Sequence, residues 1–137
     1  MGIGEAAPAF TGLLYFAIVF ALAFAMGIFR TLIVAPRIGR TAAVLIEVPL
    51  ILVASWFVAR RLLRDRAFSL SQRAAMGLIA FGLTLISEAA LSSIMRGQGV
   101  LEWAATVATP LGLVGLTGQL GFGLMPIVAG LGRSRPR

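Results

Sequence analysis

Two glutamates stand inside long apolar stretches of this sequence, where an ionisable side chain is costly unless it has a partner or a purpose. Glu47 follows Arg40 by seven residues, and Glu88 precedes Arg96 by eight. If both stretches are helices running in opposite directions, the glutamates lie about 10 Å and about 12 Å from the same end of the helices. We therefore expect both carboxylates to lie at one level.

Further polar side chains are expected at that level. Arg30 ends the first apolar stretch and emerges on the same side, and Thr109 enters there from the last stretch. We predict an intramembrane polar cluster of Arg30, Glu47, Glu88 and Thr109. Three interpretations stay open: a structural link between helices, a site for proton- or cation-coupled transport, and a contact with a partner subunit or lipid.

The elements that position these residues are four apolar spans, at about 10–29, 41–59, 74–95 and 104–131. About 20 apolar residues cross a hydrocarbon core about 30 Å thick. The chain is 59% hydrophobic and 12% charged, and so few polar residues would not cover a soluble domain. The sequence predicts an all-α integral membrane protein, with residues 1–137 forming a single transmembrane domain. We expect its four transmembrane helices to form an up-down bundle with short loops.

Several residues predict where the helices begin and end. The stretch 32–35 could extend the first helix beyond Arg30, before Pro36 and Gly39 break it. Ser69 or Ser71 could cap the third helix, because serine is favoured at that position.

The last span contains four glycines at three-residue spacing: Gly112, Gly115, Gly118 and Gly121. We interpret them as helix-packing positions, because small residues let helix backbones approach closely in a membrane. The alternative is a broken helix that lines a substrate path, helped by Pro110, Thr117 and Gln119.

Arginines dominate the connections. Four of them follow the second span closely: Arg60, Arg61, Arg64 and Arg66. We expect this run to bind lipid headgroups or dock a partner protein, and we expect no nucleic acid partner, because these charges lie beside apolar spans. Eight arginines fall on the side of the termini and four on the other. This bias predicts two cytoplasmic termini, in what we expect to be a bacterial inner membrane.

The sequence contains neither cysteine nor histidine. The usual ligands for haem, chlorophyll, zinc and iron–sulfur clusters are therefore missing, and we predict no cofactor and no metal. No nucleophile motif accompanies the glutamates, so catalytic residues are not predicted either and an enzyme is not favoured. The expected partners are the bilayer, other membrane subunits, or further copies of this chain.

Function is predicted first as that of a non-catalytic accessory or structural subunit of a larger membrane complex. The alternative is a homo-oligomeric proton- or cation-coupled small transporter that uses Glu47 and Glu88. Four short spans resemble the size and plan of the small multidrug resistance exporters. That family carries its membrane glutamate in the first helix, where this chain has none, so its site is not transferred. An intramembrane enzyme or lipid-handling protein is the third class.

Overall fold

A computed structural model describes residues 3–131 of the chain, with side chains described within 7–131. The helices are α1 (Ile3–Phe29), a π-helical turn (Arg30–Val34), α2 (Ala35–Ile38), α3 (Arg40–Leu62), α4 (Leu70–Arg96), α5 (Val100–Val107) and α6 (Pro110–Gly130). Three arginines counted in the topology prediction, at 133, 135 and 137, lie outside the described residues.

Four of the helical segments are long and apolar enough to cross a membrane: Ala7–Ile38, Arg40–Leu62, Leu70–Arg96 and Pro110–Gly130. Short loops join them, and large apolar side chains cover the outer surface of the bundle. The predicted fold class is confirmed, and the chain is an all-α integral membrane protein.

The first helix continues past residue 29 and ends at Ile38. Its continuation is a π turn, in which the N–H of Ala35 donates to the carbonyl of Arg30, five residues earlier. Pro36 lacks the N–H that would bond to the carbonyl four residues before it, and the wider turn lies at this missing bond. Gly39 then adopts a φ of 90°, which favours glycine, and ends the helix.

Of the two serines predicted as possible caps, Ser69 is the one that caps α4. Its hydroxyl accepts from the backbone N–H of Gln72 at 3.2 Å. The Gln72 side chain in turn accepts from the backbone N–H of Ser69 at 2.8 Å. This reciprocal capping box satisfies two backbone donors at the helix start.

The predicted span 104–131 is divided in the structure. α5 ends at Val107 and α6 begins at Pro110, so one helix does not run through the whole stretch. The Thr109 hydroxyl accepts from the N–H of Gly112 at 3.1 Å and donates to the carbonyl of Thr106 at 2.7 Å. Because proline is favoured in a first helical turn and cannot donate inside a helix, Pro110 starts a new helix here.

The four long helices are not arranged in chain order around the bundle. α3 and α4 each pack against α1 and α6, whereas α3 and α4 make no direct packing contact within the described residues. α3 and α4 therefore lie at diagonally opposite corners of the four-helix bundle. The two glutamates predicted to meet come from opposite corners.

One half of the bundle is tightly packed. We call this the packed half, which has a core of Tyr15, Ala59, Leu63, Met76, Ala80 and Ala129. At Gly77 a Cβ would overlap the carbonyl oxygen of Gly123 on α6, and at Gly12 it would lie 2.9 Å from the carbonyl oxygen of Met76 on α4. Glycine thus lets α4 approach both α1 and α6 at backbone distance.

Candidate functional site

The other half of the bundle surrounds an open cavity of about 1170 Å³. All four spans and α5 line it, from Arg96 at the mouth to Thr84 in the depth on α4. That is 12 residues, or about 18 Å along a helix, somewhat more than half of a hydrocarbon core about 30 Å thick. The lining of the cavity reaches the helix ends at Arg40, Arg96 and Thr109, so the cavity opens toward that end of the bundle, and its other end meets the packed half at Phe122.

Phe122 forms the floor of the cavity and stacks on Tyr15 of the packed half. The Tyr15 ring stacks on the Phe122 ring with centroids 4.5 Å apart, and its hydroxyl donates to the Phe122 carbonyl at 2.6 Å. Pro126 leaves that carbonyl without an α-helical donor, because it has no N–H. The tyrosine hydroxyl therefore satisfies an acceptor that the helix itself cannot.

An ion pair on one wall joins the first span to α3. Nε of Arg30 contacts Oε2 of Glu47. The side chains are 26% and 12% exposed, respectively, so the charges are largely withdrawn from solvent and neutralise each other. The pair packs beside Gly27, where an added Cβ would be in ordinary van der Waals contact with both partners, 3.8 Å from the Arg30 guanidinium and 3.9 Å from the Glu47 carboxylate.

The ion pair coincides with the π turn, because Arg30 is both the ion-pair partner and the residue whose carbonyl accepts the five-residue backbone bond. Single π turns inside helices are frequent at functional sites. An irregular backbone, a half-buried ion pair and a cavity wall therefore meet at one residue.

Glu88 lies on the opposite wall and has an uncharged partner. Nε2 of Gln119 donates to Oε1 of Glu88 at 2.5 Å, which joins α4 to α6. Oε2 of Glu88 has no hydrogen-bond partner among the described residues, and no arginine forms an ion pair with this carboxylate there. It is thus an acid in an apolar cavity with an amide as its polar partner.

The predicted polar cluster is placed as follows. Arg30, Glu47, Glu88 and Thr109 all line the one cavity. Arg30 and Glu47 touch each other, while no hydrogen bond or ion pair in the described part of the chain joins Glu47 to Glu88. Thr109 lies at the mouth, where its hydroxyl is occupied in capping α6.

The four glycines of the last span occupy three different environments. Gly118 and Gly121 face α3, where an added Cβ would lie 2.9 Å from Val48 and 2.7 Å from Leu52, respectively. At Gly112 a Cβ would overlap the backbone of the α5–α6 turn. Gly115 has no atom within 4 Å of such a Cβ and lines the cavity.

The arginine run lies at the far end of the bundle from the cavity. Arg61 and Arg64 are exposed, and Arg66 donates to the carbonyl of Leu62 at 2.7 Å, at the end of α3. Arg60 stacks over the ring of Trp56, 4.9 Å from its centroid. This run is thus partly engaged with its own helix.

Gln119 is a member of the candidate site that the sequence reasoning did not assign to the polar cluster. The sequence feature that could have identified it is a primary amide inside an apolar span. Gln119 lies nine residues after the start of α6, which is about 13.5 Å along the helix axis. That depth is close to the depth of Glu88, and comparing the two would have paired them.

The arrangement offers a deep carboxylate, hydroxyl and amide groups, and apolar walls. Within the described residues no group of three or more acidic, histidine or cysteine side chains is placed to hold a metal ion. Comparison of the chain with protein-family profiles, curated proteins and solved structures found no significant match. The function of the site is therefore inferred from its own geometry.

Proposed function

We propose that this protein is a small homo-oligomeric transporter that takes up an amphipathic molecule in the open cavity and couples its binding to protonation of Glu88. The observation that carries the proposal is a cavity of about 1170 Å³, enclosed by all four spans, with Glu88 more than halfway to its floor. Ligand sites are commonly concave, mostly apolar, and fitted with a few convergent polar groups.

Glu88 is the coupling residue in this proposal because its charge is not neutralised by the protein. A carboxylate in an apolar cavity is stabilised either by a proton or by a positively charged ligand, and the two exclude each other. The charged groups that face the cavity with it are Arg30 from the π turn, Arg40 and Glu47 from α3, and Arg96 from α4; the described part of α6 contributes none.

Glu47 has a different role. Its carboxylate is held by Arg30, so its counter-charge is supplied by the protein itself and not by a ligand. We assign this pair to the wall of the site, where it links the first span to α3. Of the two glutamates, only Glu88 is left for coupling.

The arginine distribution supports an orientation for the transporter. The eight arginines of the loop 63–69, its flanks and the tail favour a cytoplasmic location for both termini. The cavity then opens to the outer face of the bacterial inner membrane that we propose as its location. The run of Arg60, Arg61, Arg64 and Arg66 would lie at the cytoplasmic leaflet, where anionic headgroups attract arginine.

The test measures charge movement in proteoliposomes on a solid-supported membrane. A panel of cationic, anionic, zwitterionic and neutral amphiphiles is added rapidly at several pH values. We expect a transient current with at least one member of the panel, and loss of that current in Glu88→Gln. The matched control is Glu102→Gln, because Glu102 is exposed on α5 and does not line the cavity.

The result that would overturn coupling at Glu88 is a current unchanged in folded Glu88→Gln protein, or no current with any member of the panel. Elution position and thermal unfolding of each variant in detergent separate loss of transport from loss of fold. A Glu88→Asp variant, which keeps the charge on a shorter side chain, should retain part of the current.

A second candidate is the accessory subunit of a larger membrane complex. The turn between α4 and α5 favours it, because Ile94 is 81% exposed and Leu101 is 86% exposed. Large apolar side chains of this exposure at a helix end are available to another membrane subunit. Native mass spectrometry after extraction in mild detergent distinguishes the candidates, since stable heteromeric partners favour a subunit and a homo-oligomer favours the transporter.

A further inference from the structure

The depth of the cavity is richer in hydrogen-bond acceptors than in donors. Thr84, Glu88 and Gln119 lie there, and we call these three residues the deep polar wall. Thr84 precedes Glu88 by four residues on α4, which places both on one face of the helix. Gln119 reaches Glu88 from α6.

Most of the donors of the deep polar wall are already used. The Thr84 hydroxyl donates to the Ala80 carbonyl at 2.9 Å, and one amide hydrogen of Gln119 goes to Oε1 of Glu88. Three oxygens accept no hydrogen bond from the described residues, namely Thr84 Oγ1, Glu88 Oε2 and Gln119 Oε1, against one remaining amide hydrogen. A ligand at this depth must therefore donate hydrogen bonds.

Glu88 is the ionisable member of the deep polar wall, and its charge is negative once it has released its proton. Arg30 is paired with Glu47, and the exposed side chains of Arg40 and Arg96 lie at the mouth. Charges that face water are screened within about 10 Å at ordinary ionic strength, whereas a charge in an apolar cavity acts much more strongly. Glu88 therefore determines the sign of the ligand group that settles next to it.

Much of the remaining lining of the cavity is apolar. Phe20 and Phe24 from α1, Leu91 from α4 and Leu116 from α6 contribute to it. The volume of about 1170 Å³ exceeds the upper end of the usual range for small-molecule sites, about 300–1000 Å³. A ligand with a bulky hydrocarbon or aromatic body fits this space.

The geometry points to an apolar primary amine, or another cation with several N–H groups, as the ligand of the cavity. This inference rests on the proposed transport function, and it names the chemical class of the substrate. An ammonium donates up to three hydrogen bonds to the deep polar wall and neutralises Glu88. A quaternary ammonium has the charge but no N–H donor, so it leaves the three acceptors unpaired.

The test compares three probes of similar body size: 1-naphthylmethylammonium, its N,N,N-trimethyl counterpart and 1-naphthylacetate. Binding to the full chain in nanodiscs of zwitterionic lipid is measured by calorimetry. We expect the primary ammonium to bind at least about tenfold more tightly than the quaternary one, the scale of one charge-assisted hydrogen bond. The carboxylate probe should not bind above the background of empty nanodiscs.

Two threonine variants then assign the preference to the deep polar wall. Thr84→Val keeps the shape of the side chain and removes one acceptor, so the preference for the primary ammonium should fall severalfold. Thr117→Val is the matched control. The Thr117 hydroxyl also donates to a carbonyl four residues earlier, that of Leu113 at 2.8 Å, but Thr117 is exposed and does not line the cavity.

Each outcome separates the substrate class from the transport function. Equal or tighter binding of the quaternary probe, with Glu88-dependent currents intact, overturns the amine assignment and leaves transport standing. A clear preference for the primary ammonium without any current sustains the binding site and overturns transport. Retention of the full preference in Thr84→Val and Glu88→Gln protein places the amine elsewhere and overturns the site.

Discussion

The two halves of this bundle are built from the same four helices but differ in packing. One half is closely packed, and the other surrounds a cavity. In the packed half, glycines bring backbones together, and an added Cβ at Gly77 would overlap Gly123. In the open half, Gly115 has nothing within 4 Å of such a Cβ, and the helices are interrupted by a π turn and by the break before Pro110. The contrast indicates that the cavity is a property of helix shape and not only of side-chain size.

The comparison also separates the polar groups by role. In both halves, hydroxyl groups donate to backbone carbonyls, as Tyr15 does at Phe122 and Thr84 does at Ala80. Only around the cavity do charged and amide side chains of the described residues pair across helices, as Arg30 does with Glu47 and Gln119 with Glu88. These cross-helix pairs face a space that a ligand can enter.

The largest expected effect is that of Gly77→Ala in the packed half. The new methyl group would overlap the carbonyl oxygen of Gly123, so α4 and α6 must separate, at a cost of about 3 kcal/mol or more. Thermal unfolding in detergent measures it. Gly82→Ala is the control on the same helix, where nothing lies within 4 Å of the added atom, and equal unfolding temperatures for the two variants would contradict the close contact.

The next effect concerns the ion pair of the open half. Glu47→Gln leaves Arg30 half-buried without its counter-ion and should cost about 2 kcal/mol, less than a fully buried pair because both side chains are partly exposed. The double variant Arg30→Gln with Glu47→Gln removes both charges. Its unfolding temperature should lie above that of Glu47→Gln alone, and a lower value would argue against an interaction between the two side chains.

A smaller effect is expected at the floor of the cavity. Tyr15→Phe removes the hydroxyl that bonds to the Phe122 carbonyl and should cost about 1–2 kcal/mol, the penalty for an unsatisfied buried acceptor. In a Pro126→Ala background the residue at 126 supplies the missing helical N–H. The same tyrosine change should then cost less, and a double-mutant cycle with no coupling would refute this explanation.

Gly115→Val should leave stability almost unchanged, because the added atoms enter open space. They would narrow the cavity above Gln119 and weaken binding of 1-naphthylmethylammonium severalfold, measured by calorimetry in nanodiscs. Gly82→Val, away from the cavity on α4, controls for the change of residue type. Undiminished binding in the Gly115 variant would show that the ligand does not occupy this part of the cavity.

The sequence predicts the helices of this fold better than it predicts which helices pack against each other. Hydropathy and length are local properties, so the number of spans could be predicted, with Ser69 as one of two candidate caps. The diagonal position of α3 and α4 could not, because it depends on which small residues meet. Gly77 and Gly123 bring α4 against α6, while Gly118 and Gly121 bring α3 against α6.

The candidate site shows the same division. The depths of Glu47 and Glu88 follow from counting residues along a helix, and both line the cavity. The side chains that bond to these glutamates could not be predicted in this way, because they depend on how each helix is rotated and on the order of the helices around the bundle. Arg30 reaches Glu47 where the helix widens into a π turn, and Gln119 reaches Glu88 from a helix that also contacts α3.

The π turn has one more consequence, for changes in chain length. Such a turn holds more residues than an α turn, so the stretch Arg30–Val34 carries a surplus residue. Deleting a single residue there would let the turn tighten into an ordinary α turn, and the segment beyond it would keep nearly its present orientation. The same deletion elsewhere in α1 would rotate everything beyond it by about 100° around the helix axis. Within the first span, the π turn is therefore the place where the loss of one residue should disturb the bundle least.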